Sequence, residues 1–238
     1  MSQGIERMSE AYHSLATVAL LSGMNEAALK SLEQRCRWQR FRAQEQIIDH
    51  DSDSRDVYFV VEGRVRVVNF SLSGREITFD EIVAGRYFGE FAALDGQPRS
   101  ANVIALMDTL VASVSPETFL NLLRDNPGMA VEVMQELAKL IRASTDRIMD
   151  LSTLGAHNRV HSELLREARA NARDDNTAVI SPIPVHSDIA SRVSTTRETV
   201  ARVFGDLTKQ GLIKRGKNEL LVLNLERLEQ LVENLREI

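Results

Sequence analysis

A single cysteine, Cys36, is present among 238 residues. One thiol cannot close a disulfide within the chain, which fits a reducing cytosol. It also excludes a cysteine-ligated iron–sulfur cluster or structural zinc site, each of which needs several ligands. No apolar run reaches the roughly 18 residues that a membrane span needs. The first residues lack a basic start followed by an apolar stretch, so no signal peptide is expected. The five histidines, His13, His50, His157, His161 and His186, are scattered, without the spacing of a metal site. P-loop and nucleophile-elbow patterns are missing as well. Neither an enzyme nor a metalloprotein is indicated.

What is present is enough apolar material for a core without staples, 43% of residues, and an uneven charge. The total is −5, yet residues 181–218 hold seven Lys/Arg (Arg192, Arg197, Arg202, Lys209, Lys214, Arg215, Lys217) against three acids, a net +4. The rest of the chain is therefore −9. A basic module on an acidic body suits a nucleic-acid reader joined to another domain, although solvated surface charge gives the same count.

Apolar periodicity changes along the chain. Residues 15–41 read as helical, broken at Ser22-Gly23. Residues 41–115 carry short alternations (Val57, Phe59, Val61; Val65, Val67; Ile77, Phe79) separated by Gly63, Gly74, Gly85 and Gly89, the pattern of many short strands in a sandwich or roll. From Pro127 a stripe follows at alternating steps of 4 and 3: Ala130, Met134, Leu137, Ile141, Ser144, Ile148, Leu151. That is a heptad seam between paired helices, or one helix packed on its own sheet with Ser144 tolerated. The helix should end near Gly155. Residues 170–184 read as a polar loop. Residues 185–223 read as two short helices and then strands, followed by an amphipathic helix with Leu225, Leu228, Leu231, Val232 and Leu235 on one side.

The run HSDIASRVSTTRETVARVFGDLTKQGLI carries a second kind of signal. Ser187 is placed to cap a helix that buries Ile189, Ala190 and Val193. Ser194-Thr195-Thr196 interrupts it, and a second helix then buries Val200, Val203, Phe204 and Leu207. Two helices joined this way form a helix-turn-helix whose second helix can enter the major groove. Arg197, Glu198 and Arg202 fall at about 0°, 100° and 140° around that helix, opposite the buried side. Arginine can grip guanine and glutamate can accept from cytosine. A solvated face, with Glu198 closing a capping box on Thr195, is the plainer alternative. In RYFGEFAALDGQPRSANVIALMD, a Gly-Glu pair opens a short helix and Arg99-Ser100 follows. Backbone N–H groups and an arginine fork suit an anion, and a carboxylate suits a sugar hydroxyl. A surface turn with a Glu90–Arg99 ion pair would account for the same residues.

TRETVARV resembles the recognition helix of the cyclic AMP receptor family, within the CRP/FNR superfamily, and GLIKRGKNELLVLN resembles its wing. The glycine-glutamate-arginine run resembles that family's phosphate-binding cassette, and YFVVEGRVRVV its preceding strands. The resemblance extends from about Leu15 to Leu223 in the family's order. It implies an α+β chain with a cyclic-nucleotide-binding β-roll (1–128), a dimerisation helix (129–157) and a winged helix-turn-helix (158–238). By position, Gly89 lines the ligand site, Glu90 takes the ribose 2′-hydroxyl, Arg99 and Ser100 hold the cyclic phosphate, and Ser144 and Thr145 meet the base. Thr196 holds a DNA phosphate, while Arg197, Glu198 and Arg202 read base edges. The implied ligand is cyclic AMP, acting allosterically, with cyclic GMP a second candidate. The implied partners are double-stranded DNA at a TGTGA-N6-TCACA-like palindrome, a second copy of the chain, and RNA polymerase, all in the cytoplasm and away from membrane. A regulator of this type gated by another ligand, or by none, is the alternative. Two positions depart from the family. Ser194 stands where glycine is common, which would carry a strain of about 1 kcal/mol if the residue is left-handed. Leu140 stands where a basic residue is common.

Overall fold

The computed structural model describes residues 13–234. Most of the N-terminal segment read for a signal, and Leu235 of the last amphipathic helix, lie outside these residues. The chain divides into two compact units, Met1–Asn69 with Phe79–Glu136, and Phe70–Thr78 with Leu137–Ile238.

The first unit opens with a short 3-10 turn, Ala19–Leu21, and helix α1, Glu26–Glu33. Asn25 caps α1 by accepting from the Ala28 amide, one of the donors a helix start leaves unpaired. Helical periodicity then fails as a guide, because Arg37–Phe41 is strand β1. Its register against a later strand, Trp38 opposite Ala112, overrides the local pattern. Strands β2 (Gln46–Ile48), β3 (Val57–Glu62), β4 (Arg64–Phe70), β5 (Glu76–Val83), β6 (Tyr87–Phe88), β7 (Asn102–Ala105) and β8 (Thr109–Val114) complete the strand-rich region. They form two four-stranded sheets, ordered β1-β8-β3-β6 and β2-β7-β4-β5.

Val57, Tyr58, Phe59 and Val60 are all buried, so β3 is covered on both faces and does not alternate. In β5 the apolar Phe79 is exposed while Thr78 is buried. Helix α2, Glu90–Asp95, sits between β6 and β7, and helix α3, Pro116–Asp125, follows β8. Apolar spacing alone does not separate α3 from its surroundings, although Ser115 caps it and Pro116 occupies its first turn, a favourable start.

Helix α4 spans Pro127–Thr153 and ends just before Gly155, which caps helix α5, Ala156–Ala170. The rest of the second unit is strand β9 (Ala178–Ile180), helix α6 (His186–Arg192), helix α7 (Arg197–Lys209), strands β10 (Ile213–Arg215) and β11 (Leu220–Val222), and helix α8 (Leu225–Asn234). The stretch read as a polar loop therefore contains a strand. Ala178 and Ile180 are buried, and β9 joins β11 in the three-stranded sheet β10-β11-β9. Three residues are too few for a periodic signal. The core of this unit gathers Val160 and Leu164 of α5, Ile189 of α6, Val200, Val203 and Leu207 of α7, and Leu228 of α8.

Candidate functional site

Two groups of polar residues stand out, one in each unit. In the first unit, Gly89 closes β6 and opens α2 in a left-handed conformation, φ 86°. A Cβ there would lie 2.9 Å from both Arg99 Nη1 and the Asp56 carbonyl, so glycine is needed for space as well as for conformation. Arg99 is only 4% exposed. Its Nη1 donates to the Gly89 carbonyl at 2.9 Å. Its Nη2 donates to the Asp56 carbonyl at 2.8 Å and to Ser54 Oγ at 3.1 Å. The guanidinium lies 5.9 Å from the Tyr58 ring centre, a cation–π distance. Its Nε is buried without a hydrogen-bond partner. The alternative Glu90–Arg99 ion pair does not form among the described residues; Arg99's partners are two carbonyls and a hydroxyl.

Burial pushes the Arg99 guanidinium below its ordinary pKa, while Tyr58, Asp56 and Glu90 oppose this. Burial likewise pushes the Glu90 carboxyl up, against hydrogen bonding to its own backbone and the pull of Arg86 and Arg99. A buried cation held by neutral acceptors, with one donor unbonded, is chemically suited to an anion. Ser100 is exposed beside it, and its carbonyl accepts from Asn69 Nδ2 at 3.1 Å. Gly89, Glu90, Arg99 and Ser100 thus lie on one short stretch of the first unit. Ser54, Asp56 and Tyr58 were missed by sequence reasoning, since nothing local in DSDSRDVY links them to residue 99.

Ser144 and Thr145 belong to the second unit, where both are exposed on α4. Thr145 Oγ1 donates to the Ile141 carbonyl one turn back, at 3.0 Å. With its proton engaged there, its lone pairs are left to accept. Met134, Ile141, Ile148 and Leu151 of the heptad stripe are exposed on the chain, and Leu140 is at the margin of exposure.

In the helix-turn-helix, α7 buries Val200, Val203, Phe204 and Leu207 and exposes Arg197, Glu198 and Arg202, as periodicity predicts. Two details differ from expectation. Helix α6 begins at His186 after Val185, so Ser187 lies inside it and does not cap it. The cap of α7 is Thr196, whose Oγ1 accepts from the Thr199 amide at 3.2 Å. A capping box between Thr195 and Glu198 is thereby excluded, because the helix starts one residue later than that register needs. Glu198 instead sits in the first turn, where hydrogen bonds from its own backbone and from Thr196, together with Arg197, hold its carboxyl below the ordinary value. Ser194 is left-handed, φ 52°. The wing strands β10 and β11 join through a Gly216–Glu219 turn, and Lys214, Arg215 and Lys217 are exposed there.

Residues 38–126 match the family model of the cyclic nucleotide-binding domain, and residues 158–231 match that of the Crp-like helix-turn-helix domain. A cyclic AMP receptor protein of Thermus thermophilus is 31% identical over 177 residues, 74% of this chain and 78% of that protein. A CRP-like cAMP-activated global transcriptional regulator of Mycobacterium tuberculosis is 21% identical over 90% of this chain and 96% of its own length. Among solved structures, a CooA variant from Carboxydothermus hydrogenoformans shares the fold with a TM-score of 0.78 and 22% identity, covering 90% of this chain and 94% of that one.

The chain belongs to the CRP-like family of transcription regulators. It is a regulator and not an enzyme, with a cyclic-nucleotide-binding domain in front of a DNA-binding helix-turn-helix. The CRP-like architecture is α+β, antiparallel sheets followed by helices and a winged reader. Among the described residues no helix is long and apolar enough to cross a membrane.

Proposed function

We propose that the chain acts as a homodimer that binds a TGTGA-N6-TCACA-like palindrome when cyclic AMP occupies its first domain. The observation that carries the ligand reading is Arg99, a buried guanidinium with neutral partners and an unbonded Nε. In this reading Arg99 and Ser100 hold the cyclic phosphate, the Gly89 backbone lines the site, and Glu90 takes the ribose 2′-hydroxyl. Ser144 and Thr145 meet the base. The exposed heptad residues of α4 pair with those of a second copy. Two copies of α7 then reach half-sites about one DNA turn apart, a docking geometry for which this family is itself a standard example. Thr196 sits on phosphate, and Arg197, Glu198 and Arg202 on base edges. Domains at 1–128, 129–157 and 158–238 serve ligand, pairing and DNA respectively, and RNA polymerase in the cytoplasm is the downstream partner.

The preference for adenine follows from Thr145. Thr145 Oγ1 lies 3.0 Å from the Ile141 carbonyl and keeps lone pairs that accept from the adenine amino group. Adenine bridging the hydroxyls of the two copies favours the DNA-competent pairing of the long helices, which guanine, offering its carbonyl in that place, bridges less well. Cyclic GMP accordingly binds without favouring the DNA-competent state, since a ligand shifts an equilibrium only by its differential affinity. The test is retardation of a palindromic duplex by the full chain with cyclic AMP, with cyclic GMP and with neither, in wild type and Arg99→Leu. Retardation dependent on cyclic AMP and lost in Arg99→Leu is expected. Equal retardation without nucleotide would favour a regulator gated by another ligand or by none.

A further inference from the structure

The turn between α6 and α7 is strained, and an arginine outside it holds it. Ser194 is left-handed at φ 52° without being glycine, a conformation that disfavours any residue with a Cβ. The carbonyls at the end of α6 have no helical partner, as at any helix C-terminus. Arg159, half-buried in the first turn of α5, reaches them from the side. Its Nε donates to the Val193 carbonyl at 2.8 Å and its Nη2 to the Ser194 carbonyl at 3.0 Å. Its Nη1 donates to the Leu154 carbonyl at 2.8 Å, immediately past the end of α4. The next carbonyl, Thr195, accepts from Arg75 Nη2 at 2.6 Å, and Arg75 lies in the Phe70–Thr78 segment grouped with this unit.

A cation in the first turn of α5 opposes that helix's own dipole, whereas a cation at the end of α6 complements it. The planar fork also suits two adjacent carbonyls in a way that a single ammonium cannot. Helix α7 begins at Arg197, three residues after Ser194, so the direction in which the turn leaves α6 sets where Arg197, Glu198 and Arg202 point.

We propose that Arg159 is a positioning residue for DNA reading, holding the Ser194 turn and tying it to the end of α4. The inference rests on α7 being the DNA reader, and it makes Arg159 the route by which a change in the last turn of α4 reaches that helix. Glycine at 194 relieves the strain that Arg159 opposes, so the two positions are coupled. A merely structural arginine on α5 would show no such coupling.

The experiment uses the full chain and the variants Arg159→Met, Arg159→Lys, Ser194→Gly and Arg159→Met/Ser194→Gly. Two readouts are taken: amide hydrogen exchange, and binding to a TGTGA-N6-TCACA duplex against a scrambled duplex in cyclic AMP. In wild type the Thr195 amide donates to the Ala190 carbonyl and the Thr199 amide to Thr196 Oγ1. Arg159→Met removes two charged hydrogen bonds from the turn. It should speed exchange at both by at least about tenfold, the equivalent of losing one such bond alone, and should weaken the palindromic duplex by a similar factor. Exchange in β3 should not change. Arg159→Lys keeps charge and length and should fall between wild type and Arg159→Met, which also covers the case of a poorly folded Met variant. Adding Ser194→Gly to Arg159→Met should recover most of both losses. Unchanged exchange at Thr195 and Thr199 in Arg159→Met, or no recovery with Ser194→Gly, overturns the proposal. If wild type does not distinguish the two duplexes, it is the DNA reading that fails, and the exchange arm still decides whether Arg159 holds the turn.

Discussion

Arg99 Nη1 donates to the Gly89 carbonyl at 2.9 Å, and that same nitrogen stands 2.9 Å from where a Cβ on Gly89 would be. The space beside the guanidinium and the left-handed backbone before α2 are therefore one feature. Gly89→Ala should move Arg99 off the Gly89 and Asp56 carbonyls and strain φ by about 1–2 kcal/mol. The expected result is a lower melting temperature and weakened cyclic AMP binding by calorimetry. Wild-type affinity in Gly89→Ala would show that Arg99 does not hold the ligand from this position.

Thr145 offers a cleaner test of base choice, because it is exposed and its removal leaves no buried group unpaired. Thr145→Ala should reduce the stimulation of DNA binding by cyclic AMP toward that given by cyclic GMP. Operator titrations at saturating nucleotide measure this. An undiminished cyclic AMP response in the variant would remove Thr145 from base recognition.

Ile141 is 66% exposed at the centre of the α4 stripe. A second copy would bring two such positions together, so Ile141→Glu would place like charges in an apolar seam. Sedimentation should show a dimer for the wild type and a monomer for the variant. A wild-type monomer at the same concentration would refute pairing through α4.

Arg197 stands in the first turn of α7 with its side chain outward. Arg197→Ala should cost about 1–3 kcal/mol per half-site on the palindromic duplex and much less on a scrambled one. Equal losses on both would mean that Arg197 touches only phosphate.

His161 provides a pH dependence. Burial first, and His157 second, depress its pKa below the ordinary value, against a weaker pull from Asp206. Its Nδ1 is buried without a partner. A depressed histidine is neutral in the folded state while the unfolded chain takes up a proton, so stability should fall as pH drops below about 6.5, until the folded-state pKa is reached. Melting temperatures between about pH 7.5 and 5 should therefore fall more steeply for wild type than for His161→Gln. Parallel curves would assign the acid sensitivity elsewhere.

Much of the DNA reader could be read directly from the residues. The spacing of Val200, Val203, Phe204 and Leu207 already determined which side of α7 is buried and that Arg197, Glu198 and Arg202 face outward, because a helix repeats every 3.6 residues whatever it packs on. The length of α4, and its stop before Gly155, followed from the same periodicity and a glycine. Gly89, Glu90, Arg99 and Ser100 were likewise close enough in sequence to be read together. What periodicity could not determine was whatever depends on partners far along the chain. Arg37–Phe41 became a strand because β8 pairs with it, and Ala178–Ile180 because β11 does. The neutral acceptors Ser54 and Asp56 come to Arg99 from more than forty positions earlier. The Val193 and Ser194 carbonyls gripped by Arg159 lie more than thirty positions later. Local sequence sets which conformations are open to a segment, whereas long-range hydrogen bonding and burial choose among them, and only the folded chain brings those distant donors and acceptors within bonding distance.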